Sequence, residues 1–163
     1  MDFLFRALVV GVGATLVMDA WMLARAALFG IKRPDYGLVG RWFAYLFQGR
    51  FRHDPIGASR PIRGERTLGW SVHYATGIAF AALLLSVWGV DWALRPTVGP
   101  ALAVGLATVA APFLLMQPGM GAGIAARRTP RPSAARIQSL LTHGVFGLGL
   151  YVAGVVGSFF FHP

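Results

Sequence analysis

The sequence contains no cysteine, and only 13% of its residues are charged. Without cysteine the chain forms no disulfide, thiolate metal site or iron–sulfur cluster, and it has no cysteine nucleophile. A soluble domain carries about 25% charged residues, roughly twice the fraction found here. Acidic residues are also few: the chain has six Asp and Glu against 15 Lys and Arg, which gives a formal net charge of +9. A metal or cofactor would therefore depend on His, Met, Asp or Glu.

What the chain has in excess is hydrophobic residues, which make up 56% of it and gather into four long runs. These runs cover residues 3–29, 69–90, 98–116 and 137–161. Each is close to the roughly 20 residues that cross about 30 Å of hydrocarbon. Backbone groups in lipid must be hydrogen-bonded within the segment, so the runs should be helices. The sequence therefore predicts an all-α membrane protein, with four transmembrane helices in one bundle and a single domain over residues 1–163.

The basic residues lie mainly in two of the three connections between the runs. The connection between the second and third runs has only Arg95, whereas the other two hold Lys32, Arg33, Arg41, Arg50, Arg52, Arg60, Arg63, Arg66, Arg127, Arg128, Arg131 and Arg136. Basic loops stay on the cytoplasmic side of a membrane. The pattern predicts a multi-pass membrane protein with the two basic loops in the cytoplasm and both termini on the opposite side of the membrane.

The expected partners follow from the same distribution. Arginines in cytoplasmic loops attract the anionic headgroups of membrane lipids. No nucleic-acid partner is expected, because the chain has no basic groove with interleaved aromatic residues. A homo-oligomer is compatible with the sequence.

The first basic loop contains a segment, residues 35–48, with the pattern of a short helix. Asp35 can cap its first turn. Its apolar residues recur at helical spacing, while Arg41 falls outside that face; the apolar positions are Leu38, Trp42, Tyr45 and Leu46. The segment predicts an amphipathic helix in the membrane interface.

Small residues recur every four positions in the third run. Such a stripe lets two helices approach closely. The sequence therefore predicts a helix–helix contact along Gly99, Ala103, Ala107 and Ala111.

Each apolar run contains or adjoins a polar side chain: Asp19, His73, Gln117 and His143. At ~1.5 Å per residue, Asp19 lies about 15 Å, His73 about 6 Å and His143 about 9 Å from the cytoplasmic end of its helix. Gln117 follows the cytoplasmic end of the third run. Ionisable groups in a membrane are costly and require a partner or a function. We therefore predict an intramembrane polar site near the cytoplasmic side, which His53 and Glu65 of the first loop could cap.

Several functions remain open for this site. The leading functional hypothesis is proton, ion or small-solute transport; the alternative is a structural or accessory membrane subunit whose polar cluster only fixes helix packing. A third is a haem or divalent-metal protein with His73 and His143 as ligands, although two histidines are a weak signal; otherwise no cofactor is expected. No catalytic residue is assigned and an enzyme is not predicted, because no serine nucleophile motif or metal triad accompanies the histidines.

Four motifs carry a resemblance to a known family: "GRFRHD", "HYATG", "MQPGMG" and "THGVFGLGLY". They resemble an uncharacterised family of small bacterial four-helix inner-membrane proteins, catalogued only as a domain of unknown function. The resemblance covers nearly the whole chain and implies a four-helix inner-membrane protein. It implies no reaction, ligand or partner. The family pattern includes all six candidate residues: Asp19, His53, Glu65, His73, Gln117 and His143.

Overall fold

The structure is a computed structural model that describes residues 3–161, and this part of the chain is helical without a strand. Four helical segments are long and apolar enough to cross a membrane: Phe3–Phe29, Glu65–Trp88, Val98–Gly119 and Pro132–Phe161. The all-α class with four membrane-length helices is confirmed. The chain fits a multi-pass membrane protein.

The first membrane-length helix, α1 (Phe3–Phe29), has the predicted bounds, whereas the second and fourth begin earlier than predicted. Helix α3 (Glu65–Trp88) starts four residues before Gly69, and the Glu65 carboxylate accepts a hydrogen bond from the backbone N–H of Ile62 at 2.8 Å. This bond pairs an otherwise free N–H ahead of the first turn. The last helix begins with a proline, which suits a first turn whose N–H groups have no helical partner.

The third apolar run is not one uninterrupted α-helix, contrary to the prediction. Helix α4 (Val98–Ala107) ends early, and Pro112–Met116 forms a π-helix followed by the single turn α5 (Gln117–Gly119). Pro112 lacks an N–H and its ring clashes with the carbonyl four residues earlier. The proline therefore accounts for the break in the helix. Its position inside the third apolar run could have predicted this break from the sequence.

The described chain divides into two compact units. The first comprises the chain up to Arg33, Tyr74–Thr108 and the part from Leu141 onward. Its most deeply buried side chains are Leu84, Leu85, Leu150, Val10 and Thr15. The second comprises Pro34–His73 and Val109–Leu140. The prediction of one domain stays a prediction.

In the first unit, the close contact of α4 lies on a different face from the predicted stripe. Gly99, Ala103 and Ala107 are exposed, whereas Ala101 and Gly105 are buried. A Cβ at Gly105 would overlap the Cα of Gly147 in the last helix, α6 (Pro132–Phe161). Small residues do bring two helices together in this segment, as predicted, but the contact uses Gly105 and not the exposed Gly99, Ala103 and Ala107.

The second unit contains the predicted short helix, α2 (Tyr36–Leu46). Asp35 caps it as predicted, because its side chain accepts a hydrogen bond from the Gly37 N–H at 2.9 Å. Trp42 and Tyr45 are buried with Ile56 in a small core. The prediction misjudged Arg41, which is buried because it pairs with Glu65.

Helices α2 and α3 touch through glycines. A Cβ on Gly40 would overlap the Glu65 carbonyl oxygen, and one on Gly69 would overlap the Tyr36 carbonyl oxygen. Only residues without a side chain allow this backbone approach. The contact places Arg41 beside Glu65 and thereby sets up the polar network described below.

Candidate functional site

Two of the predicted intramembrane residues lie in the first unit, and each has a hydroxyl partner. The Tyr74 hydroxyl donates to Asp19 Oδ2 at 3.0 Å. His143 Nδ1 lies 2.9 Å from the Thr108 Oγ1. These pairs join α1 to α3 and the end of α4 to α6.

The Thr108 contact defines the tautomer of a neutral His143. The Thr108 hydroxyl donates its single hydrogen to the Gly105 carbonyl at 2.6 Å, so its oxygen can only accept from the imidazole. Nδ1 therefore carries a hydrogen, and Nε2 of the neutral ring keeps its lone pair. A ring held in this way presents Nε2 as a proton acceptor or metal ligand.

The other two intramembrane residues lie in the second unit. His73 Nε2 is 3.1 Å from the Tyr36 hydroxyl, and the two rings are 4.3 Å apart between centroids. Gln117 Nε2 donates to Ser139 Oγ at 3.4 Å, a long hydrogen bond. Its Oε1 is buried and has no hydrogen-bond partner among residues 3–161. Gln117 thus keeps an acceptor available for a ligand or water.

All four predicted residues therefore have a neighbouring hydroxyl group, and sequence reasoning missed every one of these neighbours. The hydroxyls belong to Tyr36, Tyr74, Thr108 and Ser139. No sequence motif identifies these hydroxyl groups, because each lies at least 22 positions from its partner in the sequence. That the four residues form a single site stays a prediction.

The two residues predicted as a cap, His53 and Glu65, are brought into one network in the second unit. Arg41 donates to both Glu65 carboxylate oxygens, at 2.8 Å and 2.7 Å. It also donates to the Ser59 carbonyl at 2.9 Å. The Ser59 hydroxyl is 2.9 Å from His53 Nδ1. A chain of contacts through Arg41 and Ser59 thus links Glu65 to His53.

The ion pair in this network fixes the charge of its members. Hydrogen bonding to the Glu65 carboxylate raises the pKa of Arg41 above its usual value. Two parallel N–H···O bonds between a guanidinium and a carboxylate are stronger than neutral hydrogen bonds and fix their geometry. Arg41 therefore stays cationic and holds the loop that carries Ser59.

Next to the network lies a pocket of about 580 Å³ in the second unit. Loop residues 50–60 form most of its wall, together with Tyr45 and Arg128. Four arginines line it against one carboxylate, that of Asp54; they are Arg50, Arg52, Arg60 and Arg128. Sequence reasoning identified these arginines only as members of the two basic loops. Their gathering around one cavity depends on how the two loops fold together within the second unit.

For a bound metal the described residues offer few ligands. Residues 3–161 contain no group of three or more His, Cys, Asp or Glu side chains that could hold an ion. His73 and His143 lie in different units. The haem or metal hypothesis still depends on these two histidines, and the lone pair on His143 Nε2 is the feature most suited to it.

Comparison with known families matches residues 8–157 to a family model. The matching family is described as "Protein of unknown function (DUF2938)". The chain belongs to this family. The resemblance seen in the four motifs is thereby confirmed, and the matched range contains all six candidate residues. Neither the curated proteins nor the solved structures give a match.

Membership of the DUF2938 family assigns no activity to the chain. The family match and the four membrane-length helices together describe a membrane protein of unknown function. Any more specific function must be argued from the site itself.

Proposed function

We propose that this protein moves a proton, an ion or a small solute across the bacterial inner membrane through Asp19, His73, Gln117 and His143. The observation that carries the proposal is the position of Asp19. It is a carboxylate within a 27-residue apolar helix, and a second ionisable side chain, Tyr74, donates to it at 3.0 Å. Ionisable residues inside membrane helices commonly mark proton relays and ion pathways.

The interruption of the third membrane segment supports the same function. The π-helix Pro112–Met116 directly precedes Gln117, whose Oε1 lacks a partner within the described chain. π-Helical turns frequently occur at functional sites. Broken membrane helices also bind substrates in several transporters, because their unpaired backbone groups face a cavity. Gln117 is therefore proposed to contact the transported species.

The orientation belongs to the proposal as well. The loops that contain Gly57 and Arg131 are proposed to face the cytoplasm, where they meet anionic lipid headgroups, and both termini to face the periplasm. In this orientation His73 and Glu65, near the start of α3, lie close to the cytoplasmic surface. The polar site would then open toward the cytoplasm.

A structural or accessory role is the second candidate, and the hydroxyl partners favour it. Asp19, His73, Gln117 and His143 each have a hydroxyl neighbour on another segment of the chain. Hydrogen bonds between membrane helices contribute about 0.6 kcal/mol on average. Such bonds can fix the register of the helices without any transport.

The substitution Asp19→Asn separates the two candidates. Asparagine keeps the size of the side chain and accepts the Tyr74 hydrogen bond, but it cannot exchange a proton. Purified protein is placed in liposomes that contain a pH-sensitive dye, and proton entry is followed after a pH gradient is imposed. We expect the variant to fold and its protein-dependent flux to fall about tenfold or more, because positioned proton transfer contributes at least this much.

The matched control is Asp91→Asn, the same chemical change at an exposed acid beyond the end of α3. It should retain the wild-type rate. A folded Asp19→Asn protein with full flux would contradict the transport proposal and leave the structural role.

A further inference from the structure

We propose that the pocket formed by loop residues 50–60 and Arg128 binds an anion that carries a phosphate group. The phosphate can belong to a lipid headgroup or to a soluble phosphorylated compound, since both present the same charged oxygens. This site lies in the second unit and does not use Asp19. The inference therefore goes beyond the proposed transport function and can be tested separately.

The first observation is the charge of the pocket. Of its four arginines, two interact weakly with other groups: Arg50 lies over the Tyr45 ring at 5.0 Å, and Arg128 is 3.7 Å from Asp54 in an exposed pair. The side chains of Arg52 and Arg60 make no hydrogen bond or ion pair within residues 3–161. Arginine bonds phosphate oxygens in pairs, through parallel N–H groups. The pocket thus offers several uncommitted phosphate-binding groups.

The second observation is independent of the arginines and concerns His53. This side chain lines the pocket and is only 4% exposed. Its Nδ1 is bonded to Ser59, while its buried Nε2 has no partner within the described chain. An unpaired buried polar group costs about 1–3 kcal/mol. A phosphate oxygen that accepts a hydrogen bond from Nε2–H would remove this cost.

The pocket is also held in shape without a ligand. The backbone N–H of His53 donates to Gly119 O at 2.8 Å, and that of Ile56 donates to Met120 O at 3.0 Å. Gly121, with φ of +96°, allows the chain to pass close to the His53 carbonyl. These contacts tie the loop to the segment that precedes Arg128. A preformed site spends less binding free energy on ordering its side chains.

The size of the pocket restricts the ligand further. Pockets for small molecules usually have volumes of about 300–1,000 Å³, and the present 580 Å³ lies within this range. A phosphate ion alone would occupy only part of it. The ligand should therefore carry a polar group next to its phosphate, such as the glycerol of a lipid or the body of a phosphorylated metabolite.

Two probes distinguish the sources of the phosphate. Inorganic phosphate is titrated into the full-length protein in detergent, with chloride at equal ionic strength as reference. In the second arm, the protein is placed in nanodiscs of phosphatidylcholine with or without phosphatidic acid. The readout in both arms is the melting temperature, which rises when a ligand binds the folded state. Wild-type protein should show a saturable rise in at least one arm.

Two double variants, which each remove two positive charges, test the role of the pocket arginines. Arg52→Gln with Arg60→Gln removes two pocket arginines, and Arg63→Gln with Arg131→Gln removes two exposed arginines outside it. The pocket pair should weaken binding about tenfold or more, because charge-assisted hydrogen bonds are lost. The control pair should change it less than about twofold, since it alters only screened surface charge. Asp19→Asn should bind as the wild type does.

His53→Asn tests the histidine itself, because asparagine can replace Nδ1 but has no atom at Nε2. It should weaken binding while the melting temperature without ligand stays near that of the wild type. A response to phosphate alone assigns a soluble compound, and a response to phosphatidic acid alone assigns a headgroup. The proposal would be overturned if neither arm showed a saturable response. It would also be overturned if the two arginine pairs weakened binding to the same extent.

Discussion

Glu65→Gln should lower the stability of the protein by about 2–3 kcal/mol, because it leaves the buried Arg41 guanidinium without a counter-charge. The Arg41 and Glu65 side chains are only 10% and 19% exposed, so water cannot fully replace the lost interaction. The glutamine amide also points N–H groups at a guanidinium that can only donate. The change should appear as a lower melting temperature in detergent and as weaker phosphate binding, since Arg41 holds the Ser59 carbonyl.

The neighbouring Arg66→Gln provides the control. Arg66 is exposed, and its replacement should alter stability by no more than about 0.5 kcal/mol. If Glu65→Gln had the same melting temperature as Arg66→Gln and the wild type, the Arg41–Glu65 pair would not stabilise the second unit.

Gly105→Ala is the second substitution with a large expected effect. Its Cβ would overlap the Gly147 Cα and lie 2.8 Å from the His143 carbonyl oxygen, so two helix backbones would have to separate. Overpacking of this kind costs about 1–3 kcal/mol. Alanine regains up to about 1 kcal/mol of helix propensity, which offsets only part of the cost. Thermal unfolding in detergent should show a clear net loss of stability.

The comparison is Ala107→Leu, two residues further along α4. Ala107 is exposed, so a leucine there should change the melting temperature little. A loss of stability in Ala107→Leu as large as that in Gly105→Ala would restore the stripe first predicted from the sequence as a packing surface.

The helical class was predictable because membrane insertion restricts the possible structures so strongly. A long apolar run in lipid has to be a helix, and the four runs led directly to the four membrane-length helices. Errors in the bounds came from helical turns that lie outside the apolar runs. Glu65 and Pro132 both begin helices outside the runs. Pro112 lies inside the third run, but the interruption of the helix at this proline was not predicted.

The candidate site was predictable in its residues but not in its contacts. Asp19, His73 and His143 stood out because ionisable groups are rare in apolar runs. Their hydroxyl partners did not stand out, because threonine and tyrosine carry no charge. The Arg41–Glu65 pair spans 24 positions and depends on the contact between Gly40 and α3. Long-range contacts of this kind leave no periodic signal in a single sequence.

If α3 crosses the membrane, Gly57 and Asp91 lie on opposite sides of it, and this is the position on which the proposed transport site depends. The chain has no cysteine, so single cysteines can be introduced at Gly57, Asp91 and Arg131, which are all exposed. Intact bacterial cells are treated with a membrane-impermeant maleimide before and after permeabilisation. Asp91→Cys should react in intact cells, whereas Gly57→Cys and Arg131→Cys should react only after permeabilisation. Reaction of Gly57→Cys and Asp91→Cys from the same side would show that α3 does not cross the membrane.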